Sequence, residues 1–169
     1  MNELVHKAKL FSKYYHTGQL YWDGRDYFVA HIEPVVEKAI ELAEKLGLDV
    51  SETAILAYLH DVLEDCEQVT SKMLEEKFGK NILDGVFLLS NRVVSVPNSD
   101  KSPDEYFEAI GRARPEVKIV KVADRLMNLA SYSKHLDKQK RITLAQHYSD
   151  QKKYFKKYDI YPQLLSSGN

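Results

Sequence analysis

The hexapeptide His60–Asp65 (HDVLED) places one imidazole and three carboxylates in six consecutive residues. It follows an apolar run of helical composition, so we expect the cluster to continue that helix. On a continuous helix His60 and Glu64 are i,i+4 neighbours, and so are Asp61 and Asp65. Carboxylates on a largely buried helix need a cation or a hydrogen-bond network. The pattern therefore indicates a divalent metal ion, with a solvated acidic helix end as the alternative.

A second polar group interrupts the most apolar predicted helix, which begins at Pro115. Asp124 and Asn128 are four residues apart on this helix, so both side chains can face one cavity. A buried aspartate is costly unless it is neutralised, and the adjacent Arg125 offers a purely structural ion pair. This segment taken alone is compatible with either interpretation.

Together these segments supply two imidazoles and two carboxylates on three predicted core-facing helices: His31, His60, Asp61 and Asp124. Mixed nitrogen and oxygen ligands suit Mn²⁺, Fe²⁺ or Zn²⁺ and leave coordination positions for water. An open metal site lowers the pKa of its bound water enough to generate hydroxide near neutral pH. The residue types therefore predict metal-assisted hydrolysis.

The elements that must position these residues are all predicted to be helical. Apolar periodicity and end signals predict helices over 4–15, 31–46, 51–65, 70–78, 81–89, 102–112, 115–130 and 137–158. Ser51, Thr70 and Ser102 are the expected N-caps, and Ser102 opens a capping box with Glu105. We expect loops over 20–30 and 90–100, the second with a brief extended piece at Val93, Val94 and Val96. The predicted fold is all-α, a compact multi-helix single domain over 1–169.

Composition excludes several function classes. The 169 residues include 24 Lys+Arg and 25 Asp+Glu, a balance that predicts no general attraction to nucleic acid or acidic lipid. We find no membrane-span-length apolar run and no signal-peptide core, and the single cysteine, Cys66, rules out an intramolecular disulfide. We expect a cytoplasmic protein whose partner is a small molecule, with no prediction of its oligomeric state. Cys66 is more consistent with an inert buried thiol than with a ligand or nucleophile.

The order and spacing of these motifs resemble the HD-domain metal-dependent phosphohydrolases. The resemblance is closer to the hydrolase domain of RelA/SpoT-type alarmone enzymes and to stand-alone small alarmone hydrolases. It covers about Ala8 to Tyr148 and rests on these motifs: His16-Thr-Gly-Gln19, the His31 helix, Leu59-His60-Asp61-Val62-Leu63-Glu64-Asp65, Lys77-Phe78-Gly79 and Val120-Lys-Val-Ala-Asp124-Arg-Leu-Met-Asn128-Leu.

The resemblance implies a function and a role for each matching position. It implies an all-α hydrolase that uses Mn²⁺, held by His31, His60, Asp61 and Asp124, to release the 3′-pyrophosphate of ppGpp or pppGpp in the stringent response. Glu64 and Asp65 match the pair that activates water and transfers protons. Asn128 matches a residue near the nucleotide ribose, and Lys121 and Arg125 match basic residues near the site. Orientation of a ligand carboxylate is an equal alternative for Arg125.

The segment before His31 departs from the family. A basic pair followed by Gly-x-Pro-Tyr and His-Pro is usual there, whereas this chain reads YWDGRDYFVAHI, with one residue more and no proline. Trp22 could stack on a base and Arg25 could supply the positive charge, or Trp22 could simply pack the loop. Two alternatives therefore stay open: a phosphohydrolase for another nucleotide, such as NADPH or a nucleoside phosphate, and a non-catalytic HD module that binds nucleotide.

Overall fold

The computed structural model describes residues 2–94, 99–132 and 138–165, without the side chains of residues 144, 145, 147 and 148. Within these ranges the chain forms helices joined by loops, with one isolated antiparallel bridge and no sheet, which confirms the all-α prediction. The α-helices are α1 (Glu3–Tyr15), α2 (Glu33–Leu46), α3 (Val50–Leu59), α4 (Val62–Asp65), α5 (Ser71–Phe78), α6 (Lys80–Leu89), α7 (Pro103–Gly111), α8 (Pro115–Tyr132) and α9 (Lys138–Lys157). One turn of π-helix, Phe28–Ile32, precedes α2 and is called the π-turn below. A 3₁₀ turn, Pro162–Leu165, follows α9.

The core forms where α2, α3 and α8 pack against one another, with α1 on the outer side of α3. Every residue of α3 from Thr53 to Leu59 is buried. Burying each large aliphatic side chain of this kind stabilises the fold by roughly 1.5–3 kcal/mol. No helix in the described ranges is long and apolar enough to cross a membrane. A well-packed helical scaffold therefore surrounds the few polar groups that reach the interior.

Helix caps follow the sequence closely, with one exception. Ser102 and Glu105 form the predicted capping box at α7, and the Thr70 side chain accepts from the Met73 N–H at α5. The predicted cap at Ser51 is wrong, because Asp49 caps α3 by accepting from the Glu52 N–H at 2.9 Å. Aspartate and serine are about equally good caps, so composition alone did not distinguish the two positions.

The helix that carries the central cluster does not continue through it as predicted. α3 ends at Leu59 and α4 begins at Val62, and Asp61 between them has φ −100° and ψ −5°. Adjacent residues on an unbroken α-helix point about 100° apart and do not face each other. The break removes this restriction, and Asp61 Oδ2 lies 2.9 Å from His60 Nε2.

The segment before α2 also differs from the prediction of a loop up to residue 30. Helical backbone begins at Tyr27, because the Asp26 side chain accepts from the Val29 N–H at 3.1 Å and so caps it. The π-turn then continues directly into α2.

The predicted extended piece after α6 is not a strand in its described part. The Val94 N–H instead donates to the Leu63 carbonyl at 2.9 Å, and Val96 lies outside the described residues. Residue 137, the predicted start of the last helix, also lies outside them, and the described helix begins at Lys138.

Candidate metal centre

Four side chains from three separate segments meet beside a cavity of about 470 Å³, which His31, Asp61 and Asp124 line and His60 does not. The π-turn supplies His31, the break between α3 and α4 supplies His60 and Asp61, and α8 supplies Asp124. His31 Nε2 lies 3.3 Å from Asp61 Oδ2 and 3.6 Å from Asp124 Oδ1. Ligand atoms of His31, His60 and Asp124 all lie within 4.8 Å of one another. The structure therefore brings together the four residues that the sequence proposed as ligands.

The orientation of His60 fits a metal ligand. Its Nδ1 lies 2.8 Å from the Ala57 carbonyl, which can only accept, so Nδ1 carries a proton and Nε2 is the nitrogen available to a metal ion. Nε2 is buried and has no hydrogen-bond partner among the described residues, while a carboxylate oxygen of Asp61 lies beside it. Burial opposes protonation of His60, but the charge of Asp61 outweighs it and raises the pKa of His60 to about 9, so without a metal ion a proton on Nε2 neutralises the carboxylate. A metal ion bound at Nε2 would take the place of that proton. A backbone carbonyl that fixes the distal nitrogen is the usual support for a metal-binding histidine.

Asp124 is held by its own helix. Lys121 Nζ lies 2.8 Å from its Oδ2, and the Asn128 amide donates to its Oδ1 at 2.6 Å. Lys121 therefore forms the ion pair that the sequence suggested for Arg125. The described bond of Arg125 runs from Nη1 to Gln151 Oε1 at 3.3 Å, which links α8 to α9.

Glu64 and Asp65 line the same cavity from α4. Glu64 Oε2 accepts from the Asn91 N–H at 3.0 Å, and the Asp65 carbonyl accepts from the Gln19 amide at 2.8 Å. Gln19 is in turn oriented by His16, whose Nδ1 lies 2.7 Å from its Oε1. The Asn91 N–H therefore holds the Glu64 carboxylate and the Gln19 amide holds the Asp65 backbone, while the N–H groups of both acidic residues bond to the Asp61 carbonyl.

The carboxylates of the cavity divide into two classes by pKa. Burial opposes ionisation of Asp61 and Asp124, but the histidines around both and Lys121 beside Asp124 outweigh it and lower both pKa values. Desolvation and the charge of Asp61 raise the pKa of Glu64, and the same two causes with Glu64 raise that of Asp65 to about 7. The first pair is suited to stay charged and the second to exchange protons.

The predicted substrate contacts fall in two places. Lys121, Arg125 and Asn128 line the cavity. Trp22 and Arg25 border a separate hollow of about 220 Å³. The Trp22 indole donates to Ser131 Oγ at 2.7 Å, and Arg25 pairs with Asp23. Their roles in binding substrate remain predictions, and the structure does not bring them to the four proposed metal ligands.

The sequence interpretation missed the tyrosines of the cavity. Tyr21 stacks on the His31 ring with centroids 5.6 Å apart, and the Tyr27 hydroxyl donates to Asp61 Oδ2 at 2.7 Å. Burial, then the charge of Asp61, raises the pKa of Tyr27, so its proton stays available for this bond. Tyr27 lies four residues before His31, a spacing that places two side chains on the same face of a helix. The sequence analysis did not use this spacing, because it took residues 20–30 for a loop and did not recognise Asp26 as a helix cap.

A family model described as HD domain matches residues 11–150, which include all four proposed ligands. The chain belongs to the HD-domain family. The predicted resemblance is thereby confirmed, and the His/Asp cluster of this HD-domain chain supports a divalent-metal site, while the identity of the metal remains a prediction.

Relatives of this HD-domain chain are much longer proteins. A protein of Myxococcus xanthus named GTP pyrophosphokinase is 29% identical over 153 residues, covering 85% of this chain and 19% of the relative. A probable GTP pyrophosphokinase of Mycobacterium leprae (strain TN) is 34% identical over 129 residues, covering 75% and 15%. The chain therefore spans less than a fifth of these relatives.

A solved structure shares the fold of this HD-domain chain. It is described as a metazoan orthologue of SpoT that hydrolyses ppGpp, and it superimposes with a TM-score of 0.71 at 16% identity, covering 91% of this chain and 86% of the other. At this identity the likeness establishes the fold.

Proposed function

We propose that this chain is a metal-dependent phosphohydrolase that releases pyrophosphate from the 3′ position of ppGpp or pppGpp, leaving GDP or GTP. The observation that carries the proposal is the convergence of His31, His60, Asp61 and Asp124 around one buried point. The HD-domain match and the fold shared with a described ppGpp hydrolase support it.

The four converging side chains are suited to hold Mn²⁺, with Fe²⁺ or Zn²⁺ as alternatives. A divalent ion at this point would supply Lewis-acid activation of water and neutralise phosphate charge. Glu64 is the proposed base: it takes a proton from the attacking water, whose oxygen bonds to the 3′-linked phosphorus while the bond from phosphorus to the 3′ oxygen breaks. Asp65 is proposed to return a proton to the leaving 3′ oxygen.

Three residues on α8 are proposed to bind the nucleotide. Lys121 and Arg125 place cationic groups along the cavity wall, and Asn128 adds an amide beside Asp124. Lys121 also pairs with Asp124, and both cationic side chains are candidates for a phosphate contact.

One observation favours a second candidate substrate. Trp22 and Arg25, the two candidates to replace the missing basic pair, do not line the cavity. Another nucleotide, such as NADPH or a nucleoside phosphate, carries fewer phosphate charges than ppGpp or pppGpp. An enzyme for such a substrate would therefore need fewer cationic contacts.

The test is a product assay with Mn²⁺ that offers ppGpp, pppGpp, NADPH and nucleoside phosphates in parallel, with Asp61→Ala as the blank. GDP plus pyrophosphate from ppGpp is the expected result. Inorganic phosphate from another nucleotide, with ppGpp untouched, would keep the metal centre and replace the substrate. Bound metal without hydrolysis of any nucleotide would favour the non-catalytic binding module.

A further inference from the structure

The π-turn before α2 places two aromatic side chains on the cavity side and two apolar ones in the core. The Glu33 N–H bonds to the Phe28 carbonyl, five residues back, so this turn contains one residue more than an α-helical turn. Phe28 and Ile32 are 2% and 0% exposed, whereas Tyr27 and His31 line the cavity. Isolated π-turns of this kind are frequent at functional sites.

The Tyr27 hydroxyl contacts one particular oxygen of the proposed metal centre. It donates to Asp61 Oδ2 at 2.7 Å. The same oxygen lies 3.3 Å from His31 Nε2 and 2.9 Å from His60 Nε2. Tyr27 therefore holds the carboxylate oxygen that lies between the two imidazoles.

The Tyr27 ring is itself held by other rings. Its centroid lies 5.2 Å from that of His31 and 5.2 Å from that of His16, which is fully buried. His16 is oriented by Gln19, at 2.7 Å. A side chain confined in this way loses little further freedom when it makes its hydrogen bond, so it can orient a ligand at low entropic cost.

We propose that Tyr27 is a positioning residue that orients the Asp61 carboxylate for metal binding. The inference rests on the proposed metal centre but does not depend on which nucleotide is hydrolysed. Tyr27 acts through Asp61, as the hydrogen-bonded partners of ligating carboxylates generally do.

The test is Tyr27→Phe in the full chain, which removes the hydroxyl and keeps the ring. Mn²⁺ affinity is measured by calorimetric titration, and the melting temperature is measured in EDTA. We expect Mn²⁺ binding about 10- to 100-fold weaker, with a fall in melting temperature no larger than the loss of one hydrogen bond produces. Activity at low Mn²⁺ falls and recovers at saturating Mn²⁺, while KM for the nucleotide stays the same.

The matched control is Tyr21→Phe, because the Tyr21 hydroxyl lies 3.4 Å from Asn128 Oδ1 and not at Asp61. It should leave Mn²⁺ affinity unchanged. Unchanged affinity in Tyr27→Phe would overturn the inference, and a lower melting temperature alongside it would make Tyr27 a packing residue.

The wild-type protein separates this inference from the proposed function. If it binds Mn²⁺ but hydrolyses no nucleotide, the proposed function fails while the Tyr27 titration still decides the inference. If it binds none of Mn²⁺, Fe²⁺ and Zn²⁺, both fail together.

Discussion

The backbone N–H of Asn91 donates a 3.0 Å hydrogen bond to Oε2 of Glu64. A second hydrogen bond, from the Val94 N–H to the Leu63 carbonyl at 2.9 Å, also joins the chain after α6 to α4. α4 and the chain that follows α6 therefore hold Glu64 at the cavity wall. The bond needs only an acceptor oxygen, so glutamine can keep it while losing the ability to take a proton.

Glu64→Gln should therefore abolish turnover without releasing the metal. We expect kcat to fall by about 10²–10⁴-fold, the usual contribution of a general base. Mn²⁺ affinity should change little, because the proposed ligands are untouched. Calorimetry and the product assay on the same preparation check both expectations. The exposed Glu67→Gln is the matched control, and wild-type turnover in Glu64→Gln would remove Glu64 from the mechanism.

Asp124→Asn should lose the bound metal as well as turnover. The substitution removes a negative charge from the proposed ligands. It also removes the ion pair of Lys121, whose Nζ lies 2.8 Å from the Asp124 carboxylate in the wild-type protein. We expect loss of bound metal and of turnover together, measured by metal analysis after gel filtration. The double variant Asp124→Asn with Lys121→Met should regain melting temperature but not metal, because an unpaired buried cation is costly. Full metal content in Asp124→Asn would exclude this residue as a ligand.

Trp22→Phe and Trp22→Ala together distinguish packing from base stacking, because phenylalanine keeps a ring that can stack on a base and alanine does not. The geometry favours packing, because the indole donates to Ser131 and borders the smaller hollow. We expect the free energy of unfolding to fall by about 0.5–1.5 kcal/mol, the usual net value of one hydrogen bond, with KM unchanged. Denaturant titration and steady-state kinetics check the two expectations. Trp22→Ala should also leave KM unchanged, whereas a KM that rises in Trp22→Ala but not in Trp22→Phe would support stacking on a base.

Cys66 should be inert in the folded protein. It is 2% exposed, and burial, with the charge of Asp65, raises the pKa of its thiol from 9.0 to about 12. At pH 8 the folded protein then holds about 1,000-fold less thiolate than an ordinary cysteine would. Ellman's reagent should react with the thiol only after denaturation, and rapid reaction of the folded chain would contradict this.

The same pKa difference has a consequence for stability. The unfolded chain releases the thiol proton from about pH 9 upward, whereas the folded protein keeps it until about pH 12. The contribution of this thiol to the free energy of unfolding is therefore present below pH 9 and is lost as the pH rises above it. Cys66→Ala should remove that part of the alkaline decline in stability.

Most of the fold could be predicted because its signals are local. Apolar periodicity located the helices, and the side chains of Thr70 and Ser102 cap them through groups within three residues. Where two good caps compete within two residues, as at Asp49 and Ser51, local energies are nearly equal and sequence does not decide.

The sequence by itself determined the helical class and the residue types that could bind a metal, since both depend on chemistry and spacing along one chain. Only the tertiary structure decided how these groups are supported. Tyr27 reaches Asp61 across 34 positions, and Asn91 reaches Glu64 across 27. Such contacts are set by how helices pack, and a periodic pattern carries no information about which distant partner a side chain will meet.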